Sequence, residues 1–159
     1  YAGIMLTDEG PMMLEYNARF GDPETQSILS RLKTDPLAVF EAASEPGGLE
    51  EMVLEWDERD AVCIVAASGG YPGSYEQGIP IEGLEPASGD AQETGLWVYH
   101  AGTRLGDSGE ILTAGGRVLG ITALGEGRDA ARAKAYEALG SISFEGLHSR
   151  SDIGLTMGN

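Results

Sequence analysis

The sequence predicts an α+β fold in which a β-hairpin and two helices are followed by short antiparallel strands and one late helix. Helix start signals are concentrated in the first third of the chain, and the remainder consists of short apolar runs separated by glycine-rich turns. Strands that occur in runs pair with one another, so an α+β arrangement is favoured over a βαβ series. The boundary between the two parts is expected near Arg59, which gives residues 1–59 and 60–159.

The first part opens with two apolar runs, residues 2–7 and 12–17, that predict the hairpin. The sequence between them, Asp-Glu-Gly-Pro at residues 8–11, has strong turn propensity. The hairpin should therefore lie at the very start of the chain.

Two helices are expected next, each introduced by an Asp-Pro pair. Asp22 and Asp35 are suitable capping carboxylates, and Pro23 and Pro36 suit the first helical position. The residues expected to be buried on the first helix are Ile28, Leu29 and Leu32. The apolar residues of the second helix are Leu37, Val39, Phe40 and Ala43.

The second part should consist mainly of strands. They are expected at residues 61–67, 96–100, 110–113, 118–124 and 142–144, with a helix at 129–139 that Gly140 ends. The charged sequence at residues 57–60 is expected to be a solvated connection.

Composition and charge exclude several classes of protein. The chain has 26 acidic residues against ten lysines and arginines, a net charge of −16, which disfavours nucleic-acid and anionic-membrane partners. No apolar run is long enough to cross a bilayer. The single cysteine, Cys63, excludes an internal disulfide framework and is expected to be a buried thiol. A cytoplasmic location is expected.

The residues with the most distinctive chemistry lie at the end of the predicted hairpin. If residues 12–20 stay extended, Glu15, Asn17 and Arg19 share one face at intervals of about 7 Å, and the apolar residues between them face a core. Carboxylate and amide oxygens suit Mg²⁺, and an arginine fork can hold a phosphate. The same alternation is also typical of the solvent face of a half-exposed strand. Spacing alone leaves both interpretations open.

The sequence EYNARFGDPETQ, residues 15–26, resembles the signature of the glycinamide ribonucleotide synthetases, a family of the ATP-grasp superfamily. Other ATP-grasp enzymes share a looser Glu-x-Asn-x-Arg pattern, and the continuation from Phe20 is more specific. Later landmarks are similar to the family's in the same order: GGYPG at 69–73, YHAGT at 99–103, GGRVL at 115–119 and RSDIG at 150–154. Ala114 departs from the pattern, since an asparagine is expected there.

The resemblance implies a fold, a reaction and a set of site residues. Residues 1–59 would be the end of an ATP-grasp domain, and residues 60–159 the family's small C-terminal antiparallel β domain. The reaction would join glycine to 5-phosphoribosylamine at the expense of ATP, through glycyl phosphate, in de novo purine synthesis. Glu15 and Asn17 would bind the Mg²⁺ or Mn²⁺ that accompanies ATP. Arg19 would bind near the phosphates as a cofactor-binding and catalytic residue.

The resemblance also implies that the family's N-terminal domain and the other ATP-grasp lobes lie upstream of Tyr1, so that the chain alone would be inactive. Two alternatives stay open. One is another ATP-grasp carboxylase or ligase, and the other is a non-catalytic acidic interaction module.

Other conspicuous residues have simpler interpretations. The glycine-rich sequence at 69–73 lacks the lysine and following helix of a P-loop, so a shaped turn is favoured over a phosphate cradle. Gly115 and Gly116 are expected to form a hairpin turn that exposes Arg117, although an arginine beside flexible backbone could also meet a sugar phosphate. His100 and His148 lack partners at zinc-ligand spacing.

Overall fold

The computed structural model describes residues 1–84 and 91–155. The strands are β1 (Ala2–Thr7), β2 (Gly10–Tyr16), β3 (Asp60–Ala67), β4 (Leu96–His100), β5 (Thr103–Leu105), β6 (Ile111–Thr113) and β7 (Arg117–Gly125). The helices are α1 (Glu24–Arg31), α2 (Pro36–Ser44), α3 (Ala91–Thr94) and α4 (Arg128–Gly140). The mixture of antiparallel sheets and separate helices confirms the predicted α+β class.

The core is built around β7, the middle strand of the antiparallel sheet β3–β7–β4. Ile64 of β3 pairs with Ile121 of β7, and both side chains are fully buried. Residues 118–124 of β7 are all buried. A continuous apolar run of this length is typical of a strand that is covered on both faces, which is why the sequence predicted this strand well.

Helix α4 covers one face of this sheet. Ala131, Ala135 and Leu139, spaced by four residues, pack into the core against β3 and β7. The small alanines let the helix approach closely. A Cβ atom on Gly125, at the end of β7, would lie 2.3 Å from the backbone nitrogen of Ala131, so the strand-to-helix connection requires glycine there.

Helix α1 packs against the same sheet through polar residues. The Ser30 hydroxyl lies 2.9 Å from the Tyr99 hydroxyl of β4, and Gln26 lies over Gly120 of β7. The predicted apolar buried side of α1 is wrong, because Ser30 is buried whereas Ile28 is 44% exposed. Leu29 and Leu32 are half-buried.

The two Asp-Pro pairs have different roles. Asp35 caps α2 as predicted, since its side chain accepts a hydrogen bond of 2.9 Å from the Leu37 nitrogen. Asp22 does not cap α1, which has Pro23 at its N-cap and no side-chain cap bond. Its carboxylate instead accepts from Gln26 Nε2 at 3.2 Å and pairs with Arg117 at 3.2 Å. The Asp22 carboxylate thus pairs with the distant Arg117 instead of capping the backbone of α1.

The hairpin of β1 and β2 is confirmed, but little of it is buried. Its turn is Asp8–Glu9, and Gly10 adopts a φ of 108° that favours glycine. Strand β2 ends at Tyr16, so the expected extension through residue 20 is wrong. The side chains of Leu14, Tyr16 and Phe20, expected to face a core, are more than half-exposed. The apolar residues Leu37 and Phe40 of α2 are exposed too.

A second ribbon, β5 with β6, lies beside the main sheet. Strand β5 was not expected from the sequence. The strand predicted at 142–144 is reduced to a single bridge between Ser143 and Glu82. Gly115 and Gly116 do not form a hairpin turn, because β6 pairs with β5 while β7 pairs with β3 and β4.

Residues 57–60 are not a solvated connection but a partly buried junction. The Arg31 guanidinium donates twice to the Asp57 carbonyl, at 3.1 and 3.0 Å, and the Asp57 nitrogen donates to the Arg31 carbonyl. The Asp57 carboxylate accepts from the guanidinium of Arg59 at 2.9 and 2.7 Å. The bonds between Arg31 and Asp57 hold the end of α1 beside the start of β3. The hydrogen bonds from Arg59 hold the pKa of the Asp57 carboxyl far below its usual range.

Within the described ranges, the helices are too short or too polar to cross a bilayer.

Replacing Ile121 by alanine should lower the free energy of unfolding by about 2–5 kcal/mol, because the fully buried side chain would leave a cavity. Leu105→Ala, at a β5 position that is 69% exposed, should cost less than about 1 kcal/mol. Urea unfolding measures both. Equal losses would contradict a core centred on β7.

Asp57→Asn should lower the free energy of unfolding by about 1–3 kcal/mol at neutral pH, because the carboxylate charge is lost and the amide nitrogen that replaces Oδ2 cannot accept the hydrogen bond from Arg59 Nη2. The folded-state pKa of Asp57 lies below the unfolded value of about 3.9, so this contribution is present above that value and disappears as the pH falls. Unfolding measured from about pH 7 to pH 2 should therefore show the two proteins converging in acid. Asp107→Asn, which removes an exposed carboxylate, is the control; a gap that stays constant with pH would refute the assignment.

Candidate functional site

The three residues predicted for a metal and phosphate edge lie together around Tyr1. The Tyr1 hydroxyl donates to Glu15 Oε1 at 3.0 Å. The Arg19 guanidinium carbon lies 5.5 Å from the centre of the Tyr1 ring, and the Asn17 nitrogen donates to the Tyr1 carbonyl at 2.8 Å. Tyr1, which precedes β1, thus contacts both the carboxylate of Glu15 in β2 and the guanidinium of Arg19 after it.

This grouping does not arise from an extended strand. After Tyr16 the backbone bends at Ala18 and Arg19, and Arg19 Nη1 donates to the Phe20 carbonyl at 3.0 Å. The backbone of Asn17 still pairs with Tyr1, so the bend begins only after the first two residues of the group. The structure therefore brings Glu15, Asn17 and Arg19 together, but through a bend in the backbone and not through the extended strand that was expected.

The electrostatics of the group favour an ionised Glu15. Its pKa is lowered by the Asn17 amide, by the hydrogen bond from Tyr1 and by the charge of Arg19. The same hydrogen bond raises the pKa of the Tyr1 hydroxyl. Asn17 Nδ2 lowers the pKa of this carboxyl, but its geometry falls short of a hydrogen bond, and among the described residues it is a buried polar atom without a hydrogen-bond partner.

The residues present fit a hard divalent cation. Glu15 supplies carboxylate oxygens, and rotation of the under-bonded Asn17 amide would present its carbonyl oxygen, since the two ends of an amide have nearly the same shape. The described residues contain no cluster of three or more His, Cys, Asp or Glu side chains arranged for a metal. A cation here would thus keep positions for phosphate oxygens or water, which is the usual coordination of Mg²⁺.

A second cleft, of about 430 Å³, lies beside β3. Much of its lining is apolar, and its polar lining side chains besides Cys63 are Tyr71, Arg117, His148, Ser149 and Arg150. Sequence reasoning raised Arg117 but missed Tyr71 and Arg150. The feature of the sequence that could have drawn attention to Arg150 is the scarcity of basic residues in an acidic chain. Two of the ten lysines and arginines line this one cleft.

Arg117 is fixed in this cleft by two segments. Its Nε donates to the Tyr71 hydroxyl at 3.1 Å, and its Nη1 donates to the Asp22 carbonyl at 2.5 Å. A Cβ atom on Gly116 would lie 2.2 Å from the Tyr71 ring, so glycine is required for the ring to pack there. The predicted turn at 69–73 is confirmed, and it positions Tyr71; the Gly73 nitrogen donates to the Gly70 carbonyl at 2.7 Å.

Residues 148–153, here called the C-terminal strap, form the other wall of the cleft. His148 pairs with Ala67 of β3 through two backbone hydrogen bonds. Arg132 of α4 donates to the Ser151 and Ile153 carbonyls, and the Tyr136 hydroxyl donates to the Arg150 carbonyl at 2.6 Å. The strap is thereby attached to both β3 and α4.

A larger open cleft of about 1060 Å³ lies between α1 and the loop before α4. Its lining includes Trp56, Arg31 and the acidic residues Asp60, Glu126 and Asp129, and none of the predicted site residues. Cys63 is buried as expected, and burial raises the pKa of its thiol.

Comparison with known proteins matches both parts of the chain to the same synthetase. Residues 61–156 match the family model described as phosphoribosylglycinamide synthetase, C domain, and residues 1–25 match the ATP-grasp (A) domain of the same synthetase. Phosphoribosylamine–glycine ligase of Caldanaerobacter subterraneus is 55% identical over 96% of this chain. The Rhodopirellula baltica ligase is 51% identical over 96%, and the Salmonella typhimurium ligase is 47% identical over 97%.

A solved structure shows the same fold. The crystal structure of phosphoribosylamine–glycine ligase from Thermotoga maritima matches 95% of this chain with a TM-score of 0.72 and 35% identity. The chain spans about a third of these proteins, 35% of the Caldanaerobacter and Thermotoga chains. The match over residues 61–156 nonetheless covers more than half of this sequence. The chain belongs to the phosphoribosylglycinamide synthetase family.

Proposed function

We propose that this chain is the C-terminal part of an ATP-dependent ligase that joins glycine to 5-phosphoribosylamine. The observation that carries the proposal is the group of Glu15, Asn17 and Arg19 around Tyr1. It combines oxygen donors for a divalent cation with a guanidinium for phosphate, in a chain whose relatives are named as this ligase. Residues 1–59 would then be the end of the ATP-grasp domain and residues 60–159 the C-terminal domain, in a cytoplasmic enzyme.

In the proposed reaction, a carboxylate oxygen of glycine attacks the γ-phosphorus of ATP and ADP leaves. The amine of 5-phosphoribosylamine then attacks the carbonyl carbon of glycyl phosphate, and phosphate leaves. The products are ADP, phosphate and glycinamide ribonucleotide. Such a transfer is accelerated mainly by positioning and by electrostatic stabilisation, and no covalent nucleophile from the protein is needed.

Glu15 and the Asn17 amide oxygen would hold the Mg²⁺ or Mn²⁺ that accompanies ATP. When bound, this cation would neutralise charge on the phosphate oxygens. The lowered pKa of Glu15 supports the assignment, because the carboxylate stays ionised and able to act as a ligand at neutral pH.

Arg19 would bind the phosphates or the acyl phosphate. Its contact with the Tyr1 ring keeps the guanidinium close to the edge while leaving the side chain exposed to solvent. A planar guanidinium binds phosphate oxygens through paired hydrogen bonds, which a lysine cannot reproduce.

The remaining lobes of the ATP-grasp domain would complete the site. The hairpin supports this, since its apolar side chains Ile4, Met5, Leu6, Met12, Met13 and Leu14 are all exposed in the 159-residue chain. Because side chains alternate along a strand, these residues expose apolar area on both faces of the hairpin, which is typical of an element that another part of a protein covers.

The double variant Glu15→Gln, Asn17→Ala in the full native-length protein should lose reverse activity by about a hundredfold or more, because the charge stabilisation from the cation is lost. The assay measures ATP formation from glycinamide ribonucleotide, ADP, phosphate and Mg²⁺. Glu9→Gln, an exposed carboxylate in the hairpin turn, is the matched control and should keep activity within about twofold.

No substrate-dependent ATP from the folded full-length wild-type protein would refute the ligase and favour a non-catalytic interaction module. Activity with another carboxylate and amine, but not with these substrates, would favour a different ATP-grasp ligase. Full activity in the double variant would contradict the assignment of Glu15 and Asn17 as the metal ligands.

The 159-residue chain alone should not bind Mg·ATP with micromolar affinity. Glu15 and Arg19 are exposed to water, and charge interactions at such positions are weak. Calorimetric titration of the chain with Mg·ATP should give no saturable heat up to about 1 mM. Micromolar binding would mean that the residues needed for nucleotide affinity are already within this chain.

A further inference from the structure

The cleft beside β3 has two arginines in its lining, in a strongly acidic protein. The chain carries a net charge of −16 and only ten lysines and arginines, yet Arg117 and Arg150 both line this cleft. Each of them pairs with a carboxylate beside the cleft, Arg117 with Asp22 and Arg150 with Asp152. The lining itself contains no acidic side chain among the described residues, whereas the larger cleft near α1 has three. Guanidinium donors that these carboxylates leave unused can bind an anion.

Arg117 has the geometry of a preorganised anion-binding residue. It is the first residue of β7, and its Nε and Nη1 are engaged by Tyr71 and Asp22. Nη2 makes no hydrogen bond to any residue that the structure describes, and the side chain is 39% exposed. A guanidinium held on one edge and open on the other is positioned to donate to a ligand at little entropic cost.

Arg150 approaches the cleft from the C-terminal strap. Its backbone is fixed by the Tyr136 hydroxyl, and its guanidinium makes two bonds with the Asp152 carboxylate, at 2.8 and 2.6 Å. The side chain is 69% exposed, so its free donors are accessible. Two arginines on separate elements can contact different oxygens of one phosphate group.

Asp22 is an internal competitor for Arg117. Its carboxylate lies 3.2 Å from Arg117 Nη1 and is 54% exposed, so the ion pair can open into solvent. A phosphate monoester carries more charge and three acceptor oxygens, and it would compete well for the same donor.

We propose that this cleft binds the phosphate group of a sugar phosphate through Arg117 and Arg150, with Asp22 competing for Arg117 when the cleft is empty. Identification of the sugar phosphate as 5-phosphoribosylamine, or glycinamide ribonucleotide in reverse, rests on the proposed function. The cleft, of about 430 Å³, is within the usual size range for a small-molecule site.

The test is binding of ribose 5-phosphate, a stable probe, to the full native-length protein by titration calorimetry. Arg117→Gln and Arg150→Gln should each weaken binding by about tenfold to a hundredfold, the cost of a lost charged hydrogen bond. Asp22→Asn should strengthen binding, because the competing charge is removed. Arg104→Gln, an exposed arginine outside the cleft, should leave affinity within about twofold.

Ribose without phosphate should not bind, and inorganic phosphate should bind more weakly than ribose 5-phosphate. Equal affinity for inorganic phosphate would refute the sugar-phosphate assignment. Unchanged affinity in Arg150→Gln, whose exposed side chain the fold does not need, would overturn the proposal even if Arg117→Gln fails to fold. Weaker binding in Asp22→Asn would refute the competition.

The reverse ligase assay separates this proposal from the proposed function. An active wild-type enzyme whose KM for glycinamide ribonucleotide is unchanged in both arginine variants would refute the cleft and leave the ligase intact. An inactive wild-type enzyme that still binds ribose 5-phosphate through these arginines would refute the ligase and leave the cleft intact.

Discussion

The burial of β7 on both faces is the constraint on which the positions of the other elements depend. Strands β3 and β4 occupy its two edges, α4 covers one face through small residues, and α1 lies against the other. An apolar strand in this position has little freedom to shift, because protein interiors are densely packed. Arg117 begins this strand and pairs with Ala67 of β3, so the arginine of the cleft extends from backbone that belongs to the central sheet.

The elements that the sequence predicted well are those with a local cause. Strand β7 followed from an apolar run, and α4 from its alanine-rich sequence, although α4 includes Gly140, the residue expected to end it, and has Ser141 as its C-cap. The errors have tertiary causes. Asp22 is a good local cap, but Arg117, far away in sequence, takes its carboxylate. The charged sequence at 57–60 suggested solvation because its partner, Arg31, lies on another element.

The candidate sites show the same division. Glu15, Asn17 and Arg19 lie within five residues of one another, so spacing and resemblance could identify them as a group. The bend after Tyr16 could not be predicted, because it depends on pairing across the hairpin. Tyr71, Arg117 and Arg150 come from three distant segments that only the completed fold brings to one cleft. The glycines next to Arg117 in the sequence indicated a possible phosphate contact for that arginine, but nothing in the sequence placed Tyr71 and Arg150 beside it.

The packing of α1 bears on where the independently folding unit begins. The sequence pattern placed the start of the second part near residue 60. Helix α1 nevertheless lies over Gly120 and hydrogen-bonds to Tyr99, and its last residue, Arg31, hydrogen-bonds to Asp57. A polypeptide cut at that pattern boundary would leave one side of its central sheet, including Cys63 and Thr122, open to water. A piece of this protein whose central sheet is covered on both sides therefore begins before α1, at Gly21 and Asp22, which lead into that helix.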